Sequence, residues 1–227
     1  APDMPGFGDH AFHTGEVHDG EFYARSVASF MAALKVPHAT VVGTSMGAAV
    51  ACEMAIESPE RVDGLIMLSP AGVKAPVVND FMRRVAEGAN PLDIASVEDF
   101  DRVLTSVFAR PPSVPAPFRR WFAETAIARR PQTLLIVEAI KPFLSNGLRG
   151  RMGAVGAPTL VVYGTADAVT DPSMLSVFAS EIPNARTALL PGAGHVVFSD
   201  DFVGTVRSMR DFMDWAGFER ASVALHR

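Results

Sequence analysis

A single cysteine, Cys52, among 227 residues excludes an internal disulfide and any metal centre built on cysteines. No apolar run is long enough to span a bilayer. The longest stretch free of Asp, Glu, Lys and Arg, Val36 to Cys52, is interrupted by Pro37, Gly43 and Gly47. Excess positive charge is also missing: 20 Lys and Arg face 25 Asp and Glu, giving a net charge of −5. That balance argues against a nucleic-acid partner, which calls for a basic face. The doublets Arg83-Arg84, Arg119-Arg120 and Arg129-Arg130 are separated and diluted by acids, and they read as solvated helix faces. There are no repeats and no low-complexity segments. Residue 1 opens neither a signal-like segment nor an initiator Met. The compartment is unknown from this sequence, with the cytoplasm only a default.

What is present is the composition of a folded globular chain, 48% hydrophobic and 20% charged, with length for one well-buried core and a small second unit. Strand-like and helix-like segments alternate. Ala39 to Val42 reads as a short strand ending at Gly43, Gly47 to Glu57 as an Ala- and Met-rich helix, and Val62 to Ser69 as a second strand. Thr159 to Tyr163 and Arg186 to Leu190 are further strands. A helix opens at Asp171-Pro172, where Asp suits the cap and Pro the first turn, and a closing helix runs from Asp200 to Trp215. The fold class is therefore α/β, a mostly parallel sheet with helices on both faces.

The connection from Gly72 to Pro158 is far longer than the dozen or so residues that a parallel crossover needs. Its excess is helical. Phe100, Val103, Leu104, Val107 and Phe108 form one apolar stripe behind a Ser96 cap, and Pro111-Pro112 ends it. Pro117 then opens a helix with Phe118, Trp121 and Phe122 on one face, and Pro131 opens another with Leu134, Leu135 and Ile140. The expected organisation is a core from 1–72 and 154–227, with a helical cap at 73–153.

Gly43-Thr44-Ser45-Met46-Gly47 has the form G-x-S-x-G between a strand and a helix. A serine on such a sharp turn projects its hydroxyl above the sheet. Glycines on both sides avoid crowding, and the Met46 N–H at the helix start is placed to face an oxyanion. A serine hydroxyl needs a base. His10, His13 and His18 lie in a polar N-terminal stretch, His38 just precedes a strand, and His226 is next to the terminus. Only His195 follows a strand in a Gly-rich turn, Pro191 to Gly194, and it is the best base. The orienting carboxylate is Asp167, after the strand that ends at Tyr163. Its rival Asp171 is marked by Pro172 as a helix cap.

GTSMG at Ser45, YGTAD at Asp167 and GAGH at His195 resemble the three signatures of the α/β-hydrolase superfamily, in the chain order Ser, Asp, His. Ala1 to Gly8 is similar to that fold's D-x-P-G-x-G loop. The segment from Asn90 to Pro131, with LSPAG after the second strand, resembles bacterial lipases akin to monoacylglycerol lipases. The resemblance implies an α/β-hydrolase fold whose D-x-P-G-x-G loop follows several strands. Here the loop begins at residue 1, and no His-Gly dipeptide, the mark of that family's oxyanion loop, occurs. The expectation is therefore a piece of a longer protein that lacks the first strands, with Ala39 to Val42 left as an exposed apolar edge.

The implied activity is carboxylic ester hydrolysis through Ser45, His195 and Asp167, with Met46 as an oxyanion donor. It needs no metal and no organic cofactor, and the substrate is a small apolar ester or acylglycerol. Two rivals stay open: hydrolysis of a C–C bond in a ring-cleavage diketone, and a non-catalytic binding member of the fold. Dehalogenase and epoxide hydrolase readings are disfavoured because the nucleophile position holds Ser45, not Asp.

Overall fold

The computed structural model describes residues 1–13 and 15–218. Four strands form one parallel sheet in the order β1 (Ala39–Thr44), β2 (Val62–Leu68), β3 (Thr159–Gly164), β4 (Ala185–Leu190). β2 and β3 are buried on both faces, so they are apolar nearly throughout rather than alternating. Their side chains divide by parity. Leu65, Met67, Val161 and Tyr163 point into one core, and Ile66, Leu68, Leu160 and Val162 into another.

The first core is covered by α1 (Gly20–Ala33), α2 (Met46–Glu57) and α6 (Met174–Glu181), the second by α8 (Phe202–Trp215), which inserts Phe212. β1 lies at one edge of the sheet, with Val42 49% exposed. Thr44 pairs with Leu68 and Gly164 with Leu190, so all four strands end at nearly the same level. Ser45, Asp167 and His195 all follow strand ends at that edge. Among the described residues no helix is long and apolar enough to cross a membrane.

Between β2 and β3 lie α3 (Asp80–Ala86), α4 (Val97–Val107) and α5 (Ala116–Asn146). Ser96 caps α4 by accepting the Asp99 N–H at 3.1 Å. Pro131 does not open a helix of its own: α5 runs through it and through Pro142 without a break. Each proline removes one ladder donor, but anchors on both sides hold the segment on one axis. Arg130 makes a forked ion pair with Asp93, Gln132 donates to the Gly6 carbonyl, and Ile136, Ile140 and Phe143 are buried in the first core.

Two other helix starts differ from the sequence expectation. α6 begins at Met174, and Asp171 instead accepts the Ser173 N–H in the preceding turn. The closing segment is broken into α7 (Val197–Asp200) and α8, which is capped by Asp201. α1 was not anticipated, although Asp19 caps it through the Phe22 N–H at 2.8 Å.

Arg151, just after α5, reaches back to α2. Its guanidinium meets both carboxylate oxygens of Glu53 at 2.8 Å and one of Glu57 at 2.9 Å. Glu53 is only 2% exposed. Removing one partner of such a pair leaves the other buried and unpaired. Arg151→Ala is therefore expected to lower stability by about 2–3 kcal/mol, read by urea denaturation. A loss below about 0.5 kcal/mol would mean that water solvates Glu53 well enough without its partner.

Candidate active site

Ser45 sits where β1 becomes α2, with φ 54° and ψ −118°, in a region that non-glycine residues rarely occupy. Backbone hydrogen bonds hold it there. Its N–H donates to Leu68 at 2.9 Å, and its carbonyl accepts from Ala48 and Ala49. A serine at a helix start commonly caps the helix with its hydroxyl. Ser45 does not, and its Oγ makes no hydrogen bond to any described residue. The crowding expected at both glycines is found at one. A Cβ on Gly43 would lie 2.2 Å from the Gly47 carbonyl oxygen, whereas a Cβ on Gly47 would meet nothing within 4 Å. Met46 is the first residue of α2, where backbone N–H groups have no intrahelical acceptor.

Asp167 and His195 are brought together. Asp167 Oδ2 lies 3.0 Å from His195 Nδ1, and both residues are buried. Asp167 Oδ1 accepts the N–H groups of Val169 and Thr170 at 2.9 and 3.0 Å. These bonds satisfy the carboxylate and fix its plane. With the Nδ1 proton directed at Asp167, His195 Nε2 is left as the basic nitrogen.

Gly164 makes this pairing sterically feasible. A Cβ there would stand 2.1 Å from the Ala193 carbonyl oxygen, so only glycine lets the loop after β4 lie against the end of β3. Ala193 O then accepts the Ala166 N–H at 2.9 Å. Ser45 shares this sheet edge with the pair, but its hydroxyl is not hydrogen-bonded to His195.

Thr170 was not anticipated. Its Oγ1 lies 2.9 Å from Asp167 Oδ2, 3.1 Å from His195 Nδ1 and 3.2 Å from the Ser69 carbonyl. A hydroxyl has one proton and two lone pairs. It can accept from Nδ1 while donating either to Ser69 or to Asp167. Ser69 follows β2, is fully buried and adopts φ 45°. Its own Oγ has no partner among the described residues. No periodicity marks Thr170; the only trace is a short polar stretch ahead of Pro172.

The other histidines lie elsewhere. His38 pairs with Asp63 at 2.6 Å near the opposite ends of β1 and β2. His10 and His13 are exposed. His18 is buried, contrary to the polar stretch expected there. It packs on Phe12, and its Nδ1 is 2.8 Å from the Tyr23 hydroxyl. Burial, then the charge of Glu16, raises that hydroxyl's pKa. His226 lies outside the described residues. Cys52 is no rival nucleophile, because burial and the adjacent Glu53 push its thiol up to about 12. Burial also raises Tyr163, whose hydroxyl donates to the Pro70 carbonyl. Among the described residues no group of three or more His, Cys, Asp or Glu side chains is placed to hold a metal ion.

Residues 1–202 match the family described as alpha/beta hydrolase fold. Lipase 3 of Moraxella sp. (strain TA144) is 27% identical over 217 residues, covering 94% of this chain and 68% of that protein. The 2-hydroxy-6-oxononadienedioate/2-hydroxy-6-oxononatrienedioate hydrolase of Comamonas testosteroni is 30% identical over 202 residues, covering 85% of this chain and 68% of that one. Among solved structures, a membrane phospholipase A described as a bacterial virulence factor superposes with a TM-score of 0.90 at 29% identity, covering 96% of this chain and 70% of that one. The chain thus spans about two thirds of the length of these relatives.

Proposed function

The chain belongs to the alpha/beta hydrolase fold family, and from that premise we propose that it is a serine hydrolase of carboxylic esters, with Ser45 as nucleophile, His195 as general base and Asp167 as its orienting carboxylate. One observation carries the reading: a buried Asp167–His195 pair at the same sheet edge as a strained serine whose hydroxyl is not spent on capping its helix.

In the proposed reaction, Ser45 Oγ attacks the ester carbonyl carbon while His195 Nε2 takes its proton. The carbonyl oxygen gains the negative charge, and the Met46 N–H at the start of α2 faces it. Collapse of the tetrahedral intermediate breaks the bond to the alcohol, which leaves with the proton held by His195. Water then repeats the sequence on the acyl-enzyme. Throughout, Asp167 holds the imidazole in the tautomer with Nδ1 protonated.

An apolar acyl chain, including that of a monoacylglycerol, is the proposed substrate class, and the helices between β2 and β3 are proposed as a cap over the site. Phe118, Trp121, Phe122 and Leu135 of α5 expose apolar surface, which suits lipid-like substrates. Similarity to the lipase of Moraxella supports the ester reading. Similarity to the 2-hydroxy-6-oxononadienedioate/2-hydroxy-6-oxononatrienedioate hydrolase of Comamonas favours a second: cleavage of a C–C bond beside a carbonyl, by the same three residues.

Assay on p-nitrophenyl butyrate and a monoacylglycerol, beside a dienoate diketone, separates the two. Ester turnover with little or no diketone cleavage supports the proposal, and the reverse replaces it. Failure of a fluorophosphonate to label Ser45 would favour a non-catalytic member of the fold.

Thr170→Val tests the support of the acid. Valine keeps the shape but removes the hydroxyl between Asp167, His195 and Ser69. The expected loss is about tenfold in kcat/KM, equivalent to one hydrogen bond to a charged group. Unchanged kinetics would show that the Val169 and Thr170 amides suffice to hold Asp167.

A further inference from the structure

We propose that Asp200 is a positioning residue that ties the backbone beside His195 to the exit of α4, so that the helical insertion between β2 and β3 and the base move as one unit. This inference rests on the reading of His195 as the base.

Asp200, the last residue of α7, is 8% exposed and takes no part in the chemistry described above. Its carboxylate accepts three backbone N–H groups from two segments, one six residues upstream and one in the insertion between β2 and β3. Oδ2 accepts Gly194 at 2.8 Å and Ala109 at 2.9 Å, and Oδ1 accepts Arg110 at 3.1 Å. The Arg110 guanidinium also donates to the Asp200 main-chain carbonyl. Gly194 immediately precedes His195, whereas Ala109 and Arg110 immediately follow the Phe108 that ends α4.

The residue on the other side of the base is tied to the same place. The Val196 N–H donates to the Val107 carbonyl at 3.2 Å. His195 is thus bracketed, with both neighbours bonded, one through Asp200 and one directly, to the C-terminal end of α4. Gly194 permits the approach, since a Cβ there would stand 2.6 Å from the Ala109 nitrogen. This geometry goes beyond what is needed to hold the loop after β4, which Gly164, Thr165 and Ala166 already secure from the β3 side.

A carboxylate buried with three N–H donors makes stronger bonds than neutral acceptors would, and it cannot be shifted without stranding them. Displacing the α4 exit pulls on Gly194, which is one peptide away from the base. The imidazole is held at its other end by Asp167 Oδ2. A small displacement therefore changes the direction of Nε2, which sets how well it meets Ser45.

The test compares Asp200→Asn and Asp200→Ala with the parent chain, and with Ser45→Ala and His195→Ala as references. Asparagine has one acceptor oxygen and must strand at least one of the donors; alanine strands all three. The readouts are kcat and KM on p-nitrophenyl butyrate, the number of sites titrated by a fluorophosphonate, and the downfield proton resonance of His195 Nδ1–H.

The expected result is a fall in kcat per titrated site of about tenfold for asparagine and about 10²-fold for alanine. KM for this short ester stays within about threefold, since the Asp200 carboxylate bonds to backbone amides and not to substrate. The Nδ1–H resonance shifts or broadens in both variants. If the alanine variant does not fold, the asparagine variant carries the test.

Two outcomes overturn the proposal. One is a folded Asp200→Asn with parental kcat per site and an unmoved resonance. The other is activity lost only in proportion to titratable sites, which is the mark of a residue needed for folding alone. If Ser45→Ala or His195→Ala keeps turnover, the reading of the nucleophile or of the base has failed, and with it the proposed function on which this inference rests. If both references are inactive and Asp200→Asn behaves as the parent, only the coupling has failed.

Discussion

Ser45→Ala is expected to abolish ester turnover while leaving the fold unharmed. The loss in kcat should be about 10⁶-fold, the scale on which serine hydrolases lose activity when the nucleophile is removed. The expectation of unchanged stability is as specific as that of lost activity. The Ser45 hydroxyl makes no hydrogen bond to a described residue, so its removal strands no partner. The backbone strain at φ 54° is borne equally by alanine, which has the same Cβ. The bonds that hold the turn are main-chain ones, from Ser45 to Leu68 and from Ala48 and Ala49 to Ser45. A thermal midpoint within about 2 °C of the parent, together with no turnover, is the predicted pair of observations. Retention of more than about a tenth of parental kcat would remove Ser45 from the reaction.

Asp167→Asn is the second large effect. The side-chain shape is kept, and an amide oxygen can still accept the Val169 and Thr170 N–H groups that Oδ1 accepts now. The amide nitrogen then faces His195 Nδ1, where Oδ2 stood 3.0 Å away. Two donors cannot face each other. The imidazole shifts its proton to Nε2, the nitrogen that must be free to take the proton from Ser45. The expected fall in kcat is about 10⁴-fold. KM should change little, because binding does not depend on the tautomer. A fall of less than about tenfold would mean that another group orients the base, and Thr170, at 3.1 Å from Nδ1, is the group to examine next.

These expectations start from features that were legible in the sequence because they are local. A strand, a serine between two glycines and an Ala-rich helix occupy fewer than twenty consecutive residues, and the turn they form depends on little else. The strands were legible for a related reason: β2 and β3 are apolar on both faces, which few other settings permit. Asp167 was preferred to Asp171 on the proline that follows the latter, although Asp171 proves to brace the turn ahead of α6 rather than to cap the helix itself.

Contacts made across the chain were harder to read. Thr170 meets Ser69, and Asp200 meets Ala109, residues brought near only by the closed fold. The same holds for α5. Local rules end a helix at Pro131, and it continues because Asp93, Gly6 and the core hold both of its halves. The buried His18 looked polar because Glu16 and Asp19 stand beside it, whereas Phe12, Phe22 and Tyr23, four to six residues away, close around it once α1 forms.

The place where the helical insertion leaves the sheet has an evolutionary consequence. It departs after β2 and returns at β3, while Leu68 and Val162 stay paired. Closing a longer loop over a fixed pair costs little more than closing a shorter one. The insertion can therefore lengthen or shorten without altering the spacing of the strands that Ser45, Asp167 and His195 follow. Sequences sharing this sheet can differ along this one continuous segment while keeping the strand pairing. The parts of that segment tied most closely to the rest are Ile136, Ile140 and Phe143, buried in the first core, and the backbone at Ala109 and Arg110 that bonds to Asp200.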